Sequence, residues 1–413
     1  MLKSISITLA GILIWWIFVV FAGLSGLWME PLAPANQNQV FVERATAVIQ
    51  SNEPANVALI MLEEGEVAHE YYSESLETIE ADTVFLTASF SKWIAATAVM
   101  KLVEEEKLNL DTPVNELLSL WQIPNSAYDL DKVTVRRLLS HTSGLTDGLG
   151  FGEYLAEEEV PALPEQLANP RASNNREASI SLGVEPGSEW RYSGGGYLIL
   201  ELLVEEVTGL SFADYVNQAI LEPLEMQRSG YEFIGDVSNN AGSYQRKGIA
   251  GELYRYGSNA ATGFVSSAAD LTNFVRAQSS DQNIPGWLSP ETIKAMRQPH
   301  GSTLGLDIWG LGTILYAPTA SGDFVFGHDG ANDPAINTAV RVNPDNGDGI
   351  IVLATGHPSI ATNIGSAWVF WQTGTPDALD SDTVFNSMLR PGLIGTVAIL
   401  VLLGLLMLRR RVG

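Results

Sequence analysis

Residues 86–97 read LTASFSKWIAAT, which sets Ser89 and Lys92 three apart among Leu86, Phe90, Trp93, Ile94, Ala95 and Ala96. The segment stays apolar on nearly all sides until Lys101 and the glutamates at 104–106, and a helix that is apolar all round is normally buried. An ammonium without a partner there is expensive. Lys92 therefore snorkels to water, finds a hydroxyl or carboxylate, or lowers its pKa towards neutrality. Positions i and i+3 share a helix face, so the Ser89 hydroxyl and the Lys92 amine come within hydrogen-bond reach. A helix N-terminus at Ser89 adds free N–H groups and a positive dipole end, both of which favour developing negative charge. This is the S-x-x-K arrangement of an activated serine, and of the seven lysines only Lys92 has a serine three residues earlier. The bland reading, a capping serine and a snorkelling lysine, is weighed against the rest of the chain.

Around this segment the hydrophobic pattern predicts a short helix at 40–50, then strands at 57–62 and 67–72 joined by Glu63-Glu64-Gly65-Glu66 as a hairpin. Residues 85–110 read as helical, and Asp111-Thr112-Pro113 opens the next helix start. The stretch 111–260 is rich in Gly, Pro and Asn, with helices at 197–208 and 212–220. Strand patterns return at 324–327, 335–342 and 349–355, the last two linked by the turn-rich Asn343-Pro344-Asp345-Asn346-Gly347-Asp348. Strands at both ends with helices between them imply an α+β fold: one antiparallel sheet flanked by helices, its end strands paired around an inserted all-helical subdomain.

Composition narrows the chemistry. The 413 residues include no cysteine, which excludes disulfides and thiolate metal sites, and the five histidines form no H-x-x-x-H pair. No metal or organic cofactor is expected. A formal charge of −25 repels phosphate backbones and argues against nucleic-acid partners.

Both ends of the chain read as membrane segments. Residues 5–28 carry no charge and, at about 1.5 Å per residue, outreach a hydrocarbon core of about 30 Å. The competing reading is a signal peptide cleaved near Ala33-Pro34-Ala35, although signal cores run only about 7–15 residues. The second segment, 391–408, precedes Arg409, Arg410 and Arg411, which the positive-inside rule keeps in the cytoplasm together with Lys3. A short apolar tail before arginines also resembles a processed surface-sorting signal, and that alternative stays open. The expected organisation is an anchor or signal-like segment at 1–30, a hydrolase domain at 40–375 and a transmembrane segment at 391–408. Within the domain, 40–110 and 265–375 form an α/β part around the helical part at 111–264.

The other motifs are LLSHTSGL (138–145), PGSEWRYSGGGYLILELLVEEVTGLSFADYV (186–216), LEPLEM (221–226), TGFVSSAADLTNF (262–274) and FGHDGA (326–331). In this order the chain resembles the serine β-lactamase and penicillin-binding-protein-like family, in its class C β-lactamase-related branch of D-alanyl-D-alanine carboxypeptidases and serine esterases. The resemblance covers about residues 40–372. It implies the β-lactamase/transpeptidase-like fold, with Ser89 as nucleophile and Lys92 helping to deprotonate it. Tyr192 matches the tyrosine of the family's Y-x-N and would shuttle a proton. A phenol of pKa about 10 needs a cationic neighbour such as Lys92 before it serves as a tyrosinate. His328-Asp329-Gly330 fills the place of K-T-G, and the N–H groups of Ser89 and Ala331 would form the oxyanion hole. His141 reads as a turn-organising histidine, and the glutamates at 157–159 as solvated surface.

Two departures from the family pattern matter. Gly194 stands where Y-x-N has asparagine, removing an amide that contacts the acyl side of the substrate. At K-T-G, histidine replaces the lysine that would bind a substrate carboxylate, and Asp329 would repel one if it pointed inward. Both lean towards a neutral ester or an amide and away from β-lactams and D-alanyl peptides. The expectation is a serine hydrolase of the bacterial inner membrane whose domain faces the periplasm or exterior, acting on a small ester or amide or on a cell-wall peptide. The alternatives are a penicillin-binding carboxypeptidase or β-lactamase, and a non-catalytic wall-binding relative. A Ser-His-Asp hydrolase of the α/β type needs a G-x-S-x-G pentapeptide, and none occurs.

Overall fold

Glu64 and Gly65 both adopt positive φ, the backbone of a two-residue hairpin turn, and join β1 (Asn56–Glu63) to β2 (Glu66–Tyr72). They start the main sheet of a computed structural model that describes residues 2–147, 152–172, 178–279, 284–333 and 335–412, with side chains described from 6 to 406. Two small ladders pair β3 (Val84–Leu86) with β6 (Val265–Ser267) and β4 (Glu153–Tyr154) with β5 (Arg255–Tyr256). The remaining strands are β7 (Gly301–Thr303), β8 (Leu306–Trp309), β9 (Ile314–Pro318), β10 (Phe324–Asn332), β11 (Ile336–Val342) and β12 (Gly349–Thr355). The main sheet is antiparallel with order β2-β1-β12-β11-β10-β9-β8-β7. Its end-to-end closure is the pairing of β1 with β12, from Asn56 opposite Thr355 to Leu62 opposite Gly349.

The helices are α1 (Leu2–Leu24), α2 (Asn38–Asn52), α3 (Ser91–Glu104), α4 (Val114–Leu117), α5 (Val135–Leu139) and α6 (Leu163–Ala168), followed by α7 (Gly194–Thr208) and α8 (Phe212–Val216). After them come α9 (Ala268–Ser279), α10 (Pro290–Met296), α11 (Ile360–Thr373) and α12 (Ser381–Val412). Because side chains alternate across a strand, β1 feeds two cores. Val57, Leu59 and Met61 pack with Phe41 of α2 and Trp368 of α11, while Ala58, Ile60 and Leu62 face Trp93 of α3 and Phe274 of α9. The sheet thus lies between two helical layers.

Three expectations are adjusted. The helix foreseen at 85–110 is shorter, because Val84–Leu86 pairs with β6 and the helix proper runs from Ser91 to Glu104. The strand foreseen at 324–327 extends to Asn332, carried through weak strand formers by a ladder that sets Gly327 opposite Arg341 and Asn332 opposite Ile336. The short edge strands β7 to β9 had no counterpart in the pattern.

Helices α1 and α12 contain apolar windows, Ser6–Leu24 and Ser381–Leu406, long enough to cross a membrane, and they pack together. The Trp15 indole donates to the Pro391 and Gly392 carbonyls at 3.2 and 3.3 Å, and the Trp16 indole to Thr396 Oγ1 at 3.1 Å. A Cβ on Gly395 would fall 2.1 Å from the Trp15 ring, and one on Gly392 2.3 Å from that of Trp16. Small residues at such crossings let membrane helices approach closely. The side chains of Lys3 and Arg409–Arg411, on which orientation was argued, lie outside the described ones.

Candidate active site

The segment carrying Ser89 is stitched to residue 264. Thr87 bonds the Phe264 carbonyl through its N–H at 3.2 Å and its hydroxyl at 2.7 Å. Ser91 Oγ donates to the Ala88 carbonyl at 2.6 Å and accepts from Phe264 N–H at 3.0 Å. This brace holds Ala88 at φ 48°, a left-handed conformation that a side-chain-bearing residue adopts only when its surroundings impose it. Ser89 follows in a single 3₁₀ turn, Ala88–Phe90, which leads into α3. From the other side, β10 passes so close that a Cβ on Gly330 would lie 2.0 Å from the Thr87 carbonyl and 3.1 Å from Ser89 N.

Lys92, in the first turn of α3, is 2% exposed. Its Nζ lies 3.3 Å from Ser89 Oγ and donates to the Ala261 carbonyl at 2.7 Å. Burial lowers its pKa to about 7, with the Asp147 carboxylate opposing the shift. Of the fates foreseen for this lysine, snorkelling does not occur. It is buried, hydrogen-bonded and able to exist as a free amine near neutrality.

The Tyr192 ring stands 4.4 Å from that of His141, which also packs 4.6 Å from Trp309 and 5.2 Å from Tyr197, centroid to centroid. His141 is buried with φ 56°, and its Nδ1 accepts the N–H of Ser193 at 3.1 Å. Burial keeps it neutral. Lys92 Nζ lies 4.9 Å from the Tyr192 ring centroid. Burial pushes the Tyr192 phenol up, and only the hydrogen bond with Ser89 works against that. The lowered tyrosine pKa that a resting tyrosinate requires is therefore absent: Tyr192 rests as a neutral phenol, and the titratable amine beside Ser89 is Lys92.

His328 is 1% exposed. Its Nδ1 lies 2.6 Å from the Asp329 carbonyl, so Nδ1 carries the hydrogen and Nε2, buried without a partner among the described residues, is left with its lone pair. Burial, with Lys92 nearby, lowers its pKa to about 3. Where the family motif has a cation, this strand presents a neutral ring. Asp329, placed by motif among the substrate-binding residues, points to the opposite face of β10. Its carboxylate accepts from Arg341 Nη2 at 2.8 Å and from Tyr316 at 2.9 Å. Arg341, fully buried, also reaches Asp377 at 2.5 Å. Strand alternation and the Arg341 register explain the correction. Gly330 and Ala331 follow on β10 beside the Ser89 segment, and Gly194 opens α7 as a buried residue with no side chain to offer.

Two acidic residues escaped the motif reading. Asp147 accepts the Ser193 hydroxyl at 2.7 Å, beside the α7 N-cap where Ser193 accepts from Gly196 N–H. Burial raises its pKa to about 6 against the pull of its hydrogen bonds from Ser193 and the Gly195 N–H and of Lys92. Glu201 is buried within α7, and the signal for it was a lone carboxylate in the apolar run YLILELLV.

A sequence profile described as Beta-lactamase matches residues 43–369. The chain is 27% identical over 179 residues to Penicillin-binding protein 4* of Bacillus subtilis (strain 168), covering 42% of this chain and 37% of that protein. It is 27% identical over 346 residues to Penicillin-binding protein 4 of Amycolatopsis lactamdurans, covering 78% and 85%. Its fold is similar to that of EstCE1, a hydrolase with promiscuous acyltransferase activity, with TM-score 0.63, 22% identity and coverage of 81% and 98%.

Proposed function

The chain belongs to the β-lactamase family, and from that premise we propose that it is a membrane-anchored serine hydrolase that acts through an acyl-enzyme on neutral esters or amides. The observation that carries this reading is the buried Lys92 amine 3.3 Å from Ser89 Oγ, with a pKa of about 7. A free amine at that distance takes the hydroxyl proton as Ser89 Oγ forms a bond to the substrate carbonyl carbon. The N–H groups of Ser89 and Ala331 hold the resulting oxyanion. As the intermediate collapses, the bond to the leaving group breaks and Tyr192 donates its phenolic proton to that group. Lys92 then returns its proton to Tyr192. Water releases the acyl group by the same steps in reverse, and Ser89 is regenerated.

Substrate class follows from charge. The neutral His328 leaves β10 without a cation for a substrate carboxylate, Asp329 is held by Arg341 on the other face of the strand, and Gly194 supplies no amide. These features favour esters and simple amides over β-lactams and D-alanyl peptides. The hydrolase domain is assigned to 40–375 and the anchors to 1–30 and 391–408, with the arginines at 409–411 in the cytoplasm and the domain across the membrane.

Intact-mass spectrometry after incubation with a fluorophosphonate, a p-nitrophenyl ester and a fluorescent penicillin, with Ser89→Ala as control, tests this. Fluorophosphonate labelling at Ser89 and ester turnover without a penicillin adduct are expected. A stable penicillin adduct moves the protein to the penicillin-binding carboxypeptidases, and labelling that survives Ser89→Ala sinks the mechanism.

A further inference from the structure

Glu201 is the only charge between Tyr197 and Val204, and α7 buries it to 2% exposure. A buried carboxylate needs donors, and every donor to it among the described residues comes from one turn. Its Oε2 accepts from Ser258 Oγ at 2.9 Å and from Ala260 N–H at 3.0 Å, and Asn259 N–H also bonds the carboxylate. The turn that follows, Asn259–Gly263, is closed on Ser258: its Oγ accepts from Ala261 N–H at 3.1 Å and its carbonyl from Gly263 N–H at 3.0 Å. The carbonyl of Ala261 in that same turn is the one that accepts Lys92 Nζ at 2.7 Å. One buried carboxylate thus grips the turn beside the carbonyl that aims the lysine.

We propose that Glu201 is a positioning residue for Lys92: by accepting from Ser258, Asn259 and Ala260 it holds the Ala261 carbonyl against the amine, and it does so only while ionised. This rests on the reading of Lys92 as the base for Ser89. Protonation turns one acceptor oxygen into a donor aimed at other donors, so the grip weakens. The charged and titratable groups around Glu201 are Glu205 on its own helix, Tyr231 opposite, and Glu232, Tyr254, Arg255 and Tyr256 on the wall of the cavity of roughly 460 Å³ that Glu201 lines. Burial, reinforced by Glu205, raises Glu201 to about 7 against the three hydrogen bonds. On the acid side, two protons therefore silence the site, one on Lys92 and one on Glu201.

The test is the rate of fluorophosphonate labelling of Ser89 in the full-length protein in detergent, followed by intact mass across about two pH units either side of neutrality. Glu201→Gln keeps the shape of the side chain and removes an acceptor oxygen. It is expected to label ~10- to 100-fold more slowly at the plateau, with an acid limb shallower by one proton than that of the wild type. Ser258→Ala, which keeps the carboxylate, is expected to slow labelling and retain the wild-type slope. A Glu201→Gln protein with the wild-type rate and slope overturns the proposal. So does a slower one whose slope is unchanged, since that is the signature of a merely structural residue. A wild type in which Ser89 fails to label removes the underlying reading instead, and the proposal falls with it.

Discussion

The Arg341 guanidinium holds the Asp329 carboxylate at 2.8 Å on the α11 side of β10, with the Tyr316 ring 3.9 Å from the guanidinium carbon. Arg341 is 0% exposed and shares a second carboxylate, Asp377, four residues before α12. The pair therefore ties the strand that bears His328 to the chain that leads into the C-terminal apolar helix. Without Asp329, Arg341 keeps Asp377 as its counter-charge, but its Nη2 and the Tyr316 hydroxyl lose their acceptor, and a buried donor left unsatisfied costs about 1–3 kcal/mol.

Asp329→Ala is accordingly expected to destabilise the protein by about 1–3 kcal/mol, with Asp329→Asn losing less because it still accepts from Tyr316. Denaturant titration of the two variants measures this. Ester turnover per folded molecule should stay at the wild-type level. Wild-type stability combined with a large loss in kcat/KM would return Asp329 to the substrate.

Lys92 links activity and stability to pH in one direction. Its folded pKa of about 7 lies below the usual value of about 10.4. Between those limits the unfolded chain binds a proton that the folded chain lacks, so this group makes stability rise with pH through that window. Lys92→Met should label at Ser89 ~1,000-fold more slowly, lose that rise, and be at least as stable as the wild type at neutral pH. Melting temperatures of both proteins from neutral to alkaline pH decide it. A variant that keeps the wild-type rise leaves another group responsible.

Gly330 tests how tightly β10 locates the nucleophile. A Cβ there meets the Thr87 carbonyl at 2.0 Å and Ser89 N at 3.1 Å, both backbone atoms with no rotamer to yield. Gly330→Ala is expected to cost about 1–3 kcal/mol of stability and to reduce labelling at Ser89 by at least ~100-fold. Wild-type labelling in this variant would mean that the approach of β10 to Ser89 is looser than the geometry indicates.

Ser89, Lys92, Tyr192 and His328 were legible because each lies in a short motif whose order along the chain carries information. The direction of Asp329 was not, since the face of β10 it occupies depends on its register with β11, and its partner Arg341 lies twelve residues on. Glu201 announced itself as a charge in an apolar run, but its donors lie 57 to 59 residues away in a loop of Gly, Ser and Asn. The start of α3 was misplaced for a related reason: Val84–Leu86 suits a helix pattern, and only the non-local ladder with β6 makes it a strand. Tyr192 had a motif but no environment, and it is the environment that raises its pKa.

The absence of cysteine makes the pairing of the terminal helices open to a clean test. A Cβ on Gly11 lies 4.0 Å from Ile399 Cγ2, a contact close enough to make a Gly11→Cys, Ile399→Cys pair the probe of the crossing. If α1 and α12 form a two-helix anchor, oxidising membranes from cells expressing the double variant should give an intramolecular crosslink that reverses with reductant, while either single variant gives none. Widening the crossing with Gly395→Leu, which drives a side chain into Trp15, should abolish it. A mature protein that lacks residues 1–30 or ends before 391 by intact mass would replace the paired anchor with a processed signal segment or sorting tail.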